Sequence, residues 1–207
     1  MDWNNDGIKD LISGDTKGSV WVFINTGTKE KPVLAKGVQL KAAGKIVIKG
    51  SHELAGPYSK LHYADWDGDG LNDLLIGQLS NIVFYKNIGA KSEPEFNDPV
   101  ELTNAGGSFP DRSSPYVIDW DEDGKKDMVI GTEKGNIFYY RNIGTKKSPK
   151  LAEAKEIKLE SEEFAKSYRH RLEITDWNND GKIDILVGDR YRNSDSNGGY
   201  IWLFLGK

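Results

Sequence analysis

The sequence predicts an all-β fold assembled from four copies of one unit. Two observations carry this. A nine-residue segment of the form Asp-Trp-(Asp/Asn)-x-Asp-Gly-x-x-Asp begins at Asp2, Asp65, Asp119 and Asp176, and such internal repetition governs how the rest of a chain is read. Each copy is followed by short runs of β-branched and aromatic residues bounded by Gly, Asn and Asp, which is how strands are punctuated. No window holds a helical period. Ala152 to Phe164 comes nearest, yet Ile157 and Leu159 alternate as strand residues do.

The copies lie 63, 54 and 57 residues apart, dividing the chain into repeats of about 1–50, 51–105, 106–165 and 166–207. After each loop comes an apolar run ending in glycine: Leu11-Ile12-Ser13-Gly14, Leu74-Leu75-Ile76-Gly77, Met128-Val129-Ile130-Gly131 and Ile185-Leu186-Val187-Gly188. Continuous apolar character predicts strands covered on both faces. An aromatic-rich run follows: Val20 to Ile24, Ile82 to Tyr85, Ile137 to Tyr140 and Tyr200 to Phe204. In three copies it ends Asn-x-Gly, at Asn25, Asn87 and Asn142. Further strands are predicted at Val33-Leu34, Pro94-Glu95-Phe96 and Lys150-Leu151. Others lie ahead of the later loops, at Lys60 to Ala64, Tyr116 to Ile118 and Leu172 to Thr175. About four strands per period is the content of a propeller blade, and stacked blades bury the faces that one blade leaves open. The prediction is therefore a β-propeller with four four-stranded blades, the terminal ones incomplete. The loop residues Trp3, Trp66, Trp120 and Trp177, four of six tryptophans, are expected to pack between blades or against the loop base.

The loop chemistry is that of a hard cation. Asp119, Asp121, Asp123 and Asp127 occupy positions one, three, five and nine of the third loop, with Gly124 allowing the bend between them. Six to eight oxygens suit calcium, with the backbone carbonyl of Lys125 as a further ligand. The second loop offers Asp65, Asp67, Asp69, Leu71 and Asp73 in the same places. In the first, Asp2, Asn4, Asp6, Ile8 and Asp10 replace one carboxylate by an amide, as do Asp176, Asn178, Asp180, Lys182 and Asp184 in the fourth. Fewer carboxylates predict weaker binding in those two. No His or Cys lies in any loop, which disfavours zinc and softer metals, and magnesium rarely fills an all-protein cage. An EF-hand is excluded, because position twelve is Ser13, Ile76, Ile130 or Val187 instead of a bidentate Glu and no helices flank the loop. The competing reading of one copy alone is an Asx-rich turn without metal.

The net charge of −4 conceals a split. Fourteen carboxylates stand at ligand positions, and the remainder of the chain sums to +10. That balance permits anionic partners, but dispersed Lys residues form no basic stripe, so no nucleic acid is expected. The chain has no cysteine, no stretch long enough to span a membrane as a helix, and no apolar signal segment after Met1.

Asp65-Trp66-Asp67-Gly68-Asp69-Gly70-Leu71-Asn72-Asp73, its three counterparts and the Leu/Ile-Gly strand that follows resemble the FG-GAP or VCBS repeats of integrin-α-type β-propellers. The connections from Asn87-Ile88-Gly89 to Phe96 and from Asn142-Ile143-Gly144 to Pro149 belong to the same resemblance. It implies a loop between the first and second strands of each blade, binding up to four Ca²⁺ in all. It also implies an adhesion or binding scaffold, or the propeller domain of a secreted polysaccharide lyase. In that family the loops joining successive blades line one face. Here these include Ser51-His52-Glu53, Arg112, and Tyr168-Arg169-His170-Arg171, where Arg, His and Tyr suit a carbohydrate or protein ligand. Catalysis would need Tyr168, Arg169 and His170 as base and uronate clamp, and no other enzyme motif is present. His52-Glu53 is not completed as a metalloprotease helix, and neither a Gly-x-Ser-x-Gly elbow nor a phosphate loop occurs. Loops of this kind fill at millimolar calcium, so an extracellular or cell-surface setting is expected. The first repeat starts inside its loop and the fourth ends after its third strand. A segment of a seven- or eight-bladed ring is therefore expected, prone to self-association through its open faces.

Overall fold

The computed structural model describes residues 1–15, 17–46, 60–78, 80–159, 161, 164, 167–192 and 197–207. Ser51-His52-Glu53 lies outside them. The described residues contain strands and no α-helix, and they form two compact units, Met1–Gln78 with Ile82–Leu102, and Leu79–Asn81 with Thr103–Lys207.

In the first unit β1 (Leu11–Gly14), β2 (Val20–Phe23) and β3 (Val38–Gln39) make a three-stranded antiparallel sheet. A short hairpin, β4 (Lys41–Ala42) and β5 (Lys45–Ile46), follows. Then come β6 (Lys60–Ala64), β7 (Asp73–Gly77), β8 (Ile82–Tyr85) and β9 (Val100–Glu101), a four-stranded antiparallel sheet in sequence order. The second unit holds another such sheet, β10 (Ser114–Ile118), β11 (Asp127–Gly131), β12 (Ile137–Tyr140) and β13 (Lys155–Ile157). Its last sheet contains β14 (Tyr168–Thr175), β15 (Asp184–Arg192), β16 (Asn197–Gly198) and β17 (Ile201–Phe204). There β17 takes the third place beside β15, while β16 pairs only with the far end of β15 at Tyr191 and Arg192.

The four predicted central strands all form, but burial on both faces holds only for two of them: Leu11 of β1 is exposed with the rest of that strand half-buried, and Leu186 of β15 is half-buried. All five positions of β7 and of β11 are buried, the outcome a continuous apolar run requires. The fourth strands are placed differently. Val33-Leu34, Pro94-Glu95-Phe96 and Lys150-Leu151 form isolated bridges, Leu34 with Asn25, Phe96 with Asn87 and Ala42, and Leu151 with Asn142 and Asn104, and the outer strands begin later at Val38, Val100 and Lys155. The Asn side chains cause this, as shown below. The segment from Ala152 onward yields a strand at Lys155–Ile157, following the alternation of its sequence.

Each unit is held by two stacked sheets. In the first, Val20 and Val22 of β2 are buried with Leu74, Ile76, Val83, Tyr85 and Phe96, and Ile12 packs beside them. In the second, Val129 and Ile137 meet Ile174, Ile185, Val187 and Phe164. Ile12 and Val129 hold the same place in their repeats, as do Leu74 and Ile185 in theirs, so both units use one face-to-face packing. Trp3 joins the first core, with its ring 5.2 Å from Tyr63 of the neighbouring sheet. Trp66 is buried and Trp120 packs on Tyr139 at 5.9 Å, whereas Trp177 is exposed.

Candidate metal sites

Each loop is tied to itself through its own aspartates. At position one, Asp2 accepts the N–H groups of Asp6 at 3.1 Å and Gly7 at 2.9 Å. Asp65 does the same for Asp69 and Gly70, Asp176 for Asp180 and Gly181, and Asp119 holds Gly124 at 3.0 Å. At position five, one carboxylate oxygen accepts the N–H two residues on: Asp6 from Ile8, Asp69 from Leu71, Asp123 from Lys125 and Asp180 from Lys182. These Asx turns curl the chain so that side-chain oxygens gather at one point.

The backbone conformation follows from this curl. Position six is left-handed in every loop, with φ of +86° at Gly7, +92° at Gly70, +84° at Gly124 and +83° at Gly181, and open space where a Cβ would stand. Glycine is there for its dihedral, not for room. Position four is also left-handed, at Asn5 (φ 58°), Gly68 (66°), Glu122 (57°) and Asn179 (59°). Asn and Gly at that variable position were the available sequence signal, and Glu122 hides it.

The ninth-position aspartate does something the spacing does not announce. Asp73, fully buried, accepts the Trp66 N–H at 3.0 Å on one oxygen and the Asn87 N–H at 2.9 Å on the other. Asp10 bridges Trp3 and Asn25, Asp127 bridges Trp120 and Asn142, and Asp184 bridges Trp177 and Gly206. The residue thus staples the loop's entrance to the end of the second strand after it, and in Asp127 the oxygen that takes Trp120 also accepts from the Tyr139 hydroxyl at 3.1 Å. Burial pushes Asp73 up to about 6, against the backbone hydrogen bonds that favour its charge, and raises Asp127 in the same way. Asp184 moves down instead, led by the Gly206 hydrogen bond.

Two loops bring three carboxylates together. One oxygen each from Asp65, Asp67 and Asp73 lies within 4.8 Å of the others, and so does one each from Asp119, Asp121 and Asp127. Asp67 Oδ1 and Asp119 Oδ1 are shut off from solvent with no hydrogen-bond partner. Buried carboxylate oxygens without donors are what a dication satisfies, so these two clusters can hold a metal ion and an oxygen-only set suits calcium. Asp69 and Asp123 stand aside, each turned to a cation. Lys86 bonds Asp67 and Asp69, Arg141 bonds Asp121 at 2.6 Å and Asp123 at 3.1 Å, and the Lys125 ammonium adds a 3.0 Å contact to Asp123. No such grouping of three carboxylates occurs in the first and fourth loops among the described residues. There the amides of Asn4 and Asn178 donate to Asp6 and Asp180 at 2.9 and 3.1 Å.

The predicted ligand loops converge in part. Glu133, in the turn between β11 and β12, accepts from Arg112 at 3.2 Å and from Arg169 at 2.6 Å. Both arginines have positive φ, 52° and 63°. Arg169 lies against the Tyr168 ring at 5.7 Å, and Arg171 turns back to the carbonyl of His170. His170 goes the other way. It is fully buried, stacked on Phe164 at 4.5 Å and bonded through Nε2 to Ser167 Oγ at 2.8 Å, so it belongs to the core and presents nothing to a ligand.

The FG-GAP-like repeat family matches residues 2–76, 65–130 and 119–187, each match starting at the first aspartate of a loop. No curated protein matches the chain. Loops, strands and matches together span most of the sequence, and the chain belongs to the FG-GAP-like repeat family.

Proposed function

We propose that this chain is a calcium-stabilised β-propeller segment acting as an extracellular binding or adhesion scaffold. Its four repeats, about 1–50, 51–105, 106–165 and 166–207, would serve as blades. One observation carries the metal reading: buried, partnerless carboxylate oxygens at Asp67 and Asp119, each inside a cluster of three aspartates. The ligand set is Asp65, Asp67, Asp69 and Asp73 in the second loop and Asp119, Asp121, Asp123 and Asp127 in the third. Asp2, Asn4, Asp6 and Asp10 complete the first, and Asp176, Asn178, Asp180 and Asp184 the fourth. The carbonyls of Ile8, Leu71, Lys125 and Lys182 add one oxygen each. Calcium supplies the charge that lets these oxygens lie together. The partner is a carbohydrate or protein with an anionic group, taken at Arg112, Tyr168, Arg169 and Arg171, because the fold gathers Arg112 and Arg169 about Glu133 and guanidinium groups suit such a ligand.

Thermal unfolding tests the metal reading. Calcium at about ten times the dissociation constant adds about 1.4 kcal/mol per site, so the midpoint should rise by many degrees on adding calcium and far less with magnesium. A melting curve that excess chelator leaves unchanged refutes it. For the partner surface, Arg112→Ala should abolish retention on an immobilised acidic polysaccharide while the midpoint stays close to that of the parent. Equal retention of both proteins removes these residues from the reading.

A further inference from the structure

We propose that Lys86 and Arg141 are resident counter-ions that compete with the metal. The second and third loops then keep their shape without an ion, while the first and fourth depend on one. This rests on the metal reading above and adds a claim about the metal-free protein that can be tested by itself.

The argument starts from a pairing of positions across the four repeats. Where position three of the loop is a carboxylate, Asp67 or Asp121, the residue ending the second strand after the loop is a cation, Lys86 or Arg141. Where position three is an amide, Asn4 or Asn178, that strand end is apolar, Ile24 or Leu205. Four carboxylates with one cation, or three carboxylates alone, leave −3 at these positions in every loop. The structure supplies the contact behind the pattern. Lys86 bonds Asp67 and reaches Asp69 at 2.5 Å, and Arg141 bonds Asp121 at 2.6 Å and Asp123 at 3.1 Å. In the other two loops the amide takes over part of this role, donating to Asp6 at 2.9 Å and to Asp180 at 3.1 Å.

A dication needs the same carboxylate groups that the cation holds, Asp67 with Asp69 and Asp121 with Asp123, although Lys86 sits on Oδ2 of Asp67 and leaves its buried Oδ1 without a partner. To enter the second loop it must turn the Lys86 ammonium out to water, and a flexible side chain already more than a third exposed has a short way to go. Binding there is an exchange of a single charge for a double one, and in the first and fourth loops it is an addition. The exchange costs the existing pair and leaves a positive charge close to the ion, which lowers affinity. The order of site affinities is thus opposite to the order of carboxylate counts. Metal-free, Lys86 and Arg141 also cancel the repulsion that would otherwise open their loops. The fold then has two blades that hold in low calcium and two that respond to it.

The test copies the apolar repeats into the charged ones. Lys86→Ile and Arg141→Leu install the residues that Ile24 and Leu205 provide, and Lys86→Gln removes the charge while keeping a polar chain. Calorimetric titration with calcium chloride should show one site in each variant gaining about tenfold in affinity, and melting in chelator should show each variant below the parent. The reciprocal variant, Asn4→Asp with Ile24→Lys, should weaken calcium at one site and lose less stability in chelator. Unchanged or weaker calcium binding in Lys86→Gln and Arg141→Leu overturns the competition. An unchanged melting midpoint in chelator overturns the counter-ion role. If neither parent nor variants take up calcium, it is the metal reading that fails, and the chelator melts still decide what Lys86 and Arg141 do.

Discussion

Asp73 has both oxygens committed to buried backbone N–H groups, and Asp10, Asp127 and Asp184 repeat the two bonds with one or both of them only partly buried. A residue placed by the spacing among metal ligands is therefore also a fastening of the fold. Asp73→Ala leaves two buried donors unpaired, and each costs roughly 1–3 kcal/mol. The variant should lose about 3 kcal/mol or more by urea unfolding, in chelator as much as in calcium. A loss seen only in calcium would mean that the staple contributes little. Glu122 shows the converse, a residue held where its type is disfavoured. Its φ of 57° matches Gly68 at 66°, and a side chain there costs energy that glycine avoids. After the greater freedom of glycine in the unfolded chain is subtracted, Glu122→Gly should stabilise by roughly 0.5–1 kcal/mol. An unfolding midpoint at or below the parent's would contradict this.

At the scale of the element, the Asn-x-Gly turns decide where the fourth strand begins. The Asn87 side chain, almost wholly buried, accepts the N–H groups of Gly89 and Glu95 and donates to the Asn72 carbonyl. Asn25 repeats the arrangement, and Asn142 repeats the two accepted bonds while donating to the Thr145 carbonyl at 3.4 Å. This closes a tight loop in which only a bridge fits, so the outer strand waits until Val100. The close approach also explains the glycine, since a Cβ on Gly89 would stand 2.5 Å from the Glu93 carbonyl oxygen. Gly89→Ala should cost about 2 kcal/mol or more, because backbone must move. Gly70→Ala, with open space but a φ of +92°, should cost about 1 kcal/mol. Thermal denaturation of the pair should rank them so, and the reverse ranking would place strain above space. The first and fourth repeats share further features. Trp21 and Trp202 each donate from the indole to Asp15 or Asp189, at 2.9 and 2.5 Å, in turns where the other repeats carry Gln78 and Thr132. Together with Asn4, Asn178, Ile24 and Leu205, this makes two kinds of repeat within one period.

The stability of the molecule as a whole carries a pH signature from two histidines, His170 buried and His62 half-buried. Burial pushes His170 down to about 4, with Asp189 acting against it and Arg171 with it. The unfolded chain then binds the proton first as pH falls, so the stabilisation is complete above about pH 7 and is lost from about 6.5 down through 4. For His170 alone this amounts to about 2 kcal/mol between pH 7.5 and pH 5. His62, lowered to about 4 by burial, adds with the same sign. Urea midpoints at the two pH values should differ by clearly less in His170→Gln than in the parent. Equal differences would show that the ring is protonated without opening its contacts with Phe164 and Ser167.

The repeat, the strand content and the clustering of carboxylates in the second and third loops were legible in the amino-acid sequence. They are local: the Asx turns close within nine residues, and β7 or β11 declares itself by an unbroken apolar run. The partners of those loops were not. Lys86 reaches Asp67 from 19 residues away and Arg141 reaches Asp123 from 18, across strands whose pairing no local pattern specifies. Nor does spacing separate an aspartate with a buried oxygen that lacks a donor from one whose oxygens both hold backbone N–H groups, since Asp67 and Asp73 are the same residue type at two places in one motif. His170 and Trp177 show the limit most directly. By composition His170 is a surface candidate and Trp177 a core residue, and the packing reverses both, because burial is settled by which sheet face meets another.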